Sequence, residues 1–255
     1  MMKTEVNRMP EMERVPPKGK PVMFQNWHDL LFLHWPMSTQ AIQETLPEGL
    51  TVDTWQDQAW LGIVPFRMTG VRPRWLPSVP MLSNFLELNV RTYVRDEKGR
   101  TGVWFYSLDC DQPFAVEIAR GLFHLNYFYA LIGLRRKKDL IKYTSWRHDR
   151  RTPSAQPQRA QYLYQPTGMT SVAAPGTIEY YFLERYRLFS QDRKGRIRSG
   201  RVFHQPYQYQ SADLKEYSID PALADGLALP DEAPSFVHYA REVNVEVFPL
   251  EKGTD

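Results

Sequence analysis

From Asn84 to Val94 the chain reads NFLELNVRTYV, an alternation of two kinds of side chain. Leu86, Leu88, Val90 and Val94 share one parity with Thr92, while Phe85, Glu87, Asn89, Arg91 and Tyr93 share the other. A repeat of two is the repeat of a β-strand, so this segment must be a strand with unlike faces. RDEKGR (Arg95 to Arg100) follows as a turn and TGVWFYSLD returns as a partner strand. A lone hairpin is marginal in water, so further strands have to cover its apolar side.

The rest of the chain offers them. Trp27 to Met37 reads as a buried strand, and Ser38 caps a short helix over Thr39 to Leu46. Two strands then flank a polar turn at Gln56–Gln58, before a proline-rich loop from Gly70 to Pro80. Asp111 caps the next element and Pro113 stands in its first turn. From Phe114 the apolar residues recur at helical spacing through Ile132, which predicts one long helix ending near Gly133. Arg135 to Lys138 (RRKK) then suits the negative pole of that helix, with phosphate binding as the alternative.

Beyond Ser145 the pattern predicts a strand, an exposed loop and another strand. A second hairpin follows, GTIEYYFLERYRLFSQ with GRIRSGRVFHQPYQYQ, joined at Asp192–Gly195. Residues 219–236 hold a short helix and a loop, and VHYAREVNVEVFPL closes the chain as a strand. Many strands and few helices define an α+β class with a mostly antiparallel barrel or sandwich. Residues 1–21 read as a flexible arm and 22–250 as one domain. FLE precedes DEKGR in the first hairpin and DRKGR in the second. Shared turn chemistry explains this echo more simply than an internal duplication does.

Composition excludes several functions. A net charge of +3 is too small to suggest a nucleic-acid partner. The apolar run Leu122 to Leu134 is interrupted by His124 and Asn126 and is too short for a membrane span. No apolar leader opens the chain, and Cys110 is its one cysteine, so the expectation is a reducing, cytoplasmic setting without a disulfide. The six histidines form no HxH or HxxxH pair, which argues against a metal site. No glycine-rich phosphate loop or GxSxG elbow is present. Asp109 and Asp111 read as the end of a strand and a cap. His204 is read as a hydrogen-bonded residue at a strand end, with general base as the sharper reading.

The polar face of the opening strand has three readings: a ligand site, a network of ion pairs, or a solvated face. Glu87, Asn89 and Arg91 follow one another at about 6–7 Å along a strand, which suits groups converging on one small ligand.

LPEGLTVD, FLELNVRTYV, GVWFYSLD, FLERYRLF and the late HYA together resemble the YqjF-like family of bacterial proteins, over Asn26 to Phe248. That family is placed in the acetoacetate decarboxylase-like superfamily. The resemblance implies a conical, largely antiparallel β-barrel with a central cavity, and it implies no activity. Acetoacetate decarboxylases form a Schiff base through a lysine whose pKa a second lysine and apolar walls depress. The similar stretch here, ARGLFHLNYF, aligned at Arg120, sets their Tyr-Pro-Lys-Lys run on Leu125, Asn126, Tyr127 and Phe128, so both lysines are absent. An early arginine is replaced by Trp27, while the cavity glutamate is matched by Glu87.

The resemblance thus implies a cavity without the imine-forming amine. Glu87 would be a base or an acceptor, and Arg91 would bind a carboxylate or pair with Glu87. Asn89 joins them, Tyr127 and Asn126 would donate to a carbonyl, and Trp27 would narrow the pocket. Glu184 or Arg185 would add to it from the FLERY segment, with His204 nearby. The first expectation is a binder of a small organic acid or carbonyl metabolite. The second is a cofactor-independent isomerase or hydratase with Glu87 as general acid or base. An inert interaction barrel is the third. No cofactor, metal, nucleic acid or membrane enters any of them, and a homo-oligomer is compatible with all.

Overall fold

The computed structural model describes residues 14–149, 151, 158–230 and 232–251. Twelve strands are present among them: β1 (Met23–Met37), β2 (Leu50–Val52), β3 (Ala59–Pro73), β4 (Phe85–Asp96), β5 (Thr101–Cys110), β6 (Tyr127–Lys137), β7 (Leu140–Arg147), β8 (Gln158–Ser171), β9 (Arg187–Gln191), β10 (Ile197–His204), β11 (Tyr209–Glu216) and β12 (Phe236–Glu251). Five short helices join them: α1 (Thr39–Gln43), α2 (Pro80–Ser83), α3 (Pro113–Phe123), α4 (Ile178–Leu183) and α5 (Asp220–Ala224). The class is α+β and mostly strand.

All the strands belong to one sheet, in the order β10-β9-β5-β6-β7-β8-β11-β12-β1-β3-β4-β2, with additional pairings of β10 to β12 and β5 to β4. These two pairings make the sheet return on itself. Pairing is antiparallel except at β5–β6 and β5–β9.

Alternate residues of β1, β3 and β4 go to two different apolar clusters. Phe32, Phe66 and Phe85 enter one, together with Tyr93 and with Val116 of α3. Leu33, Ile63, Leu88 and Val90 enter the other, with Tyr143, Tyr162 and Ala222 of α5. The apolar face of β4 is therefore covered from the side of α5. Helix α3 stands on the opposite side, where it lines the same cavity as Glu87 and Asn89.

The long helix predicted to Gly133 ends at Phe123, where His124 takes a left-handed conformation (φ 53°). Tyr127–Lys137 is instead a strand, hydrogen-bonded to β5 and β7. Its aromatic run Tyr127-Phe128-Tyr129 favours extended backbone. The basic run Arg135 to Lys138 accordingly lies in the β6–β7 hairpin, not at a helix end, and Arg136 donates to Asp29 at 2.5 Å. Gln112, not Asp111, caps α3, through Phe114 N–H at 2.9 Å. Asp111 accepts from Leu86 N–H.

Two further segments differ. Residues 178–183 form α4 rather than the first half of a hairpin strand, and the strand begins only at Arg187. The expected loop at 70–80 starts later, because β3 runs on to Pro73. Within the expected arm, Arg14 pairs with Glu184 at 3.3 Å and lies over the Tyr180 ring. Residues 1–13 of that arm and most of the loop expected before β8 lie outside the described residues.

Candidate functional site

Along β4, Glu87 pairs with Phe66 and Cys110, Asn89 with Val64 and Leu108, and Arg91 with Gly62 and Phe105. The three side chains line one cavity of about 1020 Å³. Trp27, Tyr127, Arg185, Arg187 and Tyr207 line it as well. A bulge keeps the facing strand in step. Val90 pairs with Ser107 and Arg91 with Phe105, which leaves Tyr106 unopposed. The extra residue inverts the parity of β5, so that Val103, Phe105 and Leu108 all face the cavity.

Glu87 is buried and accepts a hydrogen bond of 2.8 Å from the Tyr127 hydroxyl. Burial pushes its carboxyl up to about 8, against the opposing hydrogen bonds from Tyr127 and Asn89. Near neutral pH this group therefore carries a proton. Burial and the adjacent Glu87 also raise the Tyr127 phenol, which stays neutral. The Asn89 carbonyl oxygen is buried and has no hydrogen-bond partner among the described residues.

Arg91 is only 9% exposed. Its guanidinium donates to the Phe182 carbonyl at 3.2 Å and lies over the Phe32 and Tyr93 rings. Its Nε has no partner, and among the described residues no carboxylate pairs with it. Opposite it stands Gly62, where a Cβ would press at 3.4 Å on both Arg91 Cγ and His34. Arg185 is held differently. It pairs with Asp53 at 2.8 Å and donates from Nε to Tyr181 O, and one terminal nitrogen is left buried and unpartnered. Arg187 pairs with Glu251 at 2.8 Å.

Three of the sequence-predicted residues do not reach this cavity. Asn126 is exposed and donates to the Tyr106 carbonyl at 2.5 Å. Glu184 is buried behind the site, where it accepts from the Tyr186 hydroxyl and Tyr207 N–H and pairs with Arg14. His204 stacks on Tyr186 and donates from Nδ1 to the Gln205 carbonyl at 2.8 Å; burial lowers its pKa. Conversely, Arg187, Tyr207 and the α3 residues Phe114, Ile118 and Leu122 line the cavity without having been singled out. The helical spacing of the last three was visible, but it reads equally well as a core-facing stripe.

No lysine is among the described lining residues. Lys142 is exposed on β7. Among the described residues no cluster of His, Cys, Asp or Glu could hold a metal ion, and no helix is long and apolar enough to cross a membrane.

The fold is shared with acetoacetate decarboxylase-like structures. Acetoacetate decarboxylase from Legionella pneumophila superposes with a TM-score of 0.60 at 10% identity, covering 94% of this chain and 92% of that one. The enduracididine biosynthesis enzyme MppR complexed with pyruvate gives 0.59 at 12% identity, over 92% and 91%. An acetoacetate decarboxylase-like enzyme from Sphingomonas wittichii gives 0.58 at 12%, over 92% and 95%. At these identities the likeness is one of fold.

The sequence comparison is more specific. Residues 24–244 match DUF2071, an uncharacterized conserved protein family, and the chain belongs to that family. It is 36% identical to the uncharacterized protein YqjF of Bacillus subtilis over 237 residues, 92% of this chain and 94% of that one.

Proposed function

We propose that this protein binds a small organic acid or carbonyl metabolite in the cavity beside β4. Arg91 carries the reading: a cation buried in an apolar chamber, without a carboxylate partner among the described residues, is costly unless something anionic joins it. The ligand's carboxylate would sit on Arg91 and the free nitrogen of Arg185. Its carbonyl or hydroxyl would meet Glu87, Tyr127 and Asn89, and Trp27 would narrow the entrance. In this reading residues 22–250 are one conical barrel, and the protein works in a cytoplasmic setting where Cys110 stays reduced.

Among the described lining residues imine chemistry has no lysine to use. The positions that the superfamily resemblance assigns to its lysines carry Tyr127 and Phe128. What supports a second, enzymatic reading is Glu87. A carboxyl raised to about 8 exchanges its proton near neutral pH, as a general acid or base must. It would take a proton from the carbon beside a ligand carbonyl and return it elsewhere, an isomerisation with no net change of protons. Tyr127 and Arg91 would hold the enolate oxygen.

A thermal-shift screen with short carboxylates and ketones, on wild type, Glu87→Gln and Arg91→Gln, tests both readings. Stabilisation by acids that is lost in Arg91→Gln supports the site. Turnover that Glu87→Gln abolishes selects the enzyme, and stabilisation that survives Glu87→Gln without turnover selects the binder. No stabilisation by any acid or ketone contradicts both.

A further inference from the structure

The cavity has a polar strip along β4, brought by Glu87, Asn89 and Arg91, and an apolar wall along α3. Its volume of about 1020 Å³ is at the top of the roughly 300–1,000 Å³ range of pockets that enclose drug-sized ligands. A pyruvate-sized acid would satisfy the polar strip and leave most of the apolar wall in contact with water.

The apolar wall also reaches the surface. Phe114, Ile118 and Leu122 recur every four residues on α3 and line the cavity, yet Phe114 is 66% and Leu122 65% exposed. Trp75, on the loop after β3, lines it too and is 72% exposed. Of the α3 side chains only Val116 is buried. The helix thus turns an uncovered apolar stripe toward the chamber that holds Arg91. Exposed apolar surface marks ligand grooves as well as protein or membrane contacts, and here its continuity with the cavity favours a ligand.

Resting on the reading proposed above, we infer that the ligand is an amphipathic carboxylic acid, whose head group meets Arg91 and whose hydrocarbon body runs along α3 to the Trp75–Leu122 rim. Burial of that body supplies the affinity, and Arg91 with Asn89 sets the orientation.

Calorimetric titration with straight-chain acids from acetate to decanoate, all below micellar concentrations, with pyruvate and 1-decanol alongside, tests this. Affinity should rise about fourfold per added methylene until the rim is reached, following the free energy of burying one such group. Decanol should bind more weakly than decanoate, and Arg91→Gln should remove that difference. The exposed pair Phe114→Ser with Leu122→Ser should weaken decanoate more than butyrate, because only the longer chain reaches that wall.

Pyruvate or acetate binding as tightly as decanoate would overturn this inference and leave the proposed function standing. A chain-length trend with no preference for the carboxylate over the alcohol would overturn it too. So would a flat series accompanied by sedimentation as a dimer that the rim double variant dissociates, because a second copy would then cover the stripe. Absence of binding at every chain length contradicts this inference and the proposed site together.

Discussion

Glu87 couples the cavity to pH in a direction that can be worked out. Its folded-state pKa, about 8, lies above the ordinary value of 4.5. Between those values the folded protein holds a proton that the unfolded chain has released. The stabilisation is complete below about pH 4.5 and is lost as pH rises through about 8. Its slope in that window is up to about 1.4 kcal/mol per pH unit. Urea unfolding at pH 5, 6.5 and 8 should show this decline, and Glu87→Gln should make it shallower, leaving the share of Asp109, whose carboxyl burial raises to about 7. If Glu87 is a general base, any turnover should rise toward pH 8, as the ionised fraction grows. Arg147 poses a purely structural question. It is buried between Asp109 at 2.6 Å and Asp225 at 2.8 Å, and it ties β7 to β5 and to the end of α5. Arg147→Met leaves two buried carboxylates without their cation and should cost about 3–5 kcal/mol in denaturant titration. Asp109 read as a plain strand end, because its partner lies 38 residues further along the chain.

The hairpins show what local sequence can and cannot disclose. In DEKGR, Asp96 accepts from Lys98 and Arg100 N–H, and Gly99 has a φ of 74°. In DRKGR, Asp192 accepts from Lys194 and Arg196 N–H, and Gly195 has a φ of 78°. One turn has been used twice. The preceding FLE lies in strand β4 in one case and at the end of helix α4 in the other, so the likeness stops at the turn. The period-two pattern of β4 was legible because one face meets a packed apolar cluster and the other lines the cavity. The bulge at Tyr106 was not, since no residue type marks it. Nor was the switch from α3 to β6: Leu125, Phe128 and Ile132 continue a helical spacing that masks the strand preference of Tyr127-Phe128-Tyr129, and pairing with β5 and β7 fixes Phe128 and Ile132 as extended. At Gly102 a Cβ would stand 2.6 Å from the Arg187 carbonyl, because β5 and β9 cross closely there. Gly102→Ala should therefore lower the melting temperature well beyond the effect of Gly99→Ala, which carries only the left-handed penalty of about 1–2 kcal/mol.

At the scale of the molecule, three strands partition the interior. β1, β3 and β4 send alternate side chains to two clusters, and the polar side of β4 opens into the cluster that α3 leaves uncovered. Six of the nine site residues read from the sequence, Trp27, Glu87, Asn89, Arg91, Tyr127 and Arg185, line that cavity; Asn126, Glu184 and His204 do not. Those on β4 were ordered by strand parity. Glu184 and His204 were misplaced because α4 and the end of β10 turn them into a separate buried network. Arg91 calls an anion into the same chamber in which Glu87 stands proton-loaded, so the two are linked through the ligand. Carbon-13 NMR titration of the glutamate carboxyls, with Glu87 assigned by its loss in Glu87→Gln, measures that most directly. The account predicts a midpoint near 8 that moves higher when a carboxylic acid binds, because a nearby negative charge favours the protonated form. A midpoint near 4.5, unmoved by any acid, would contradict it.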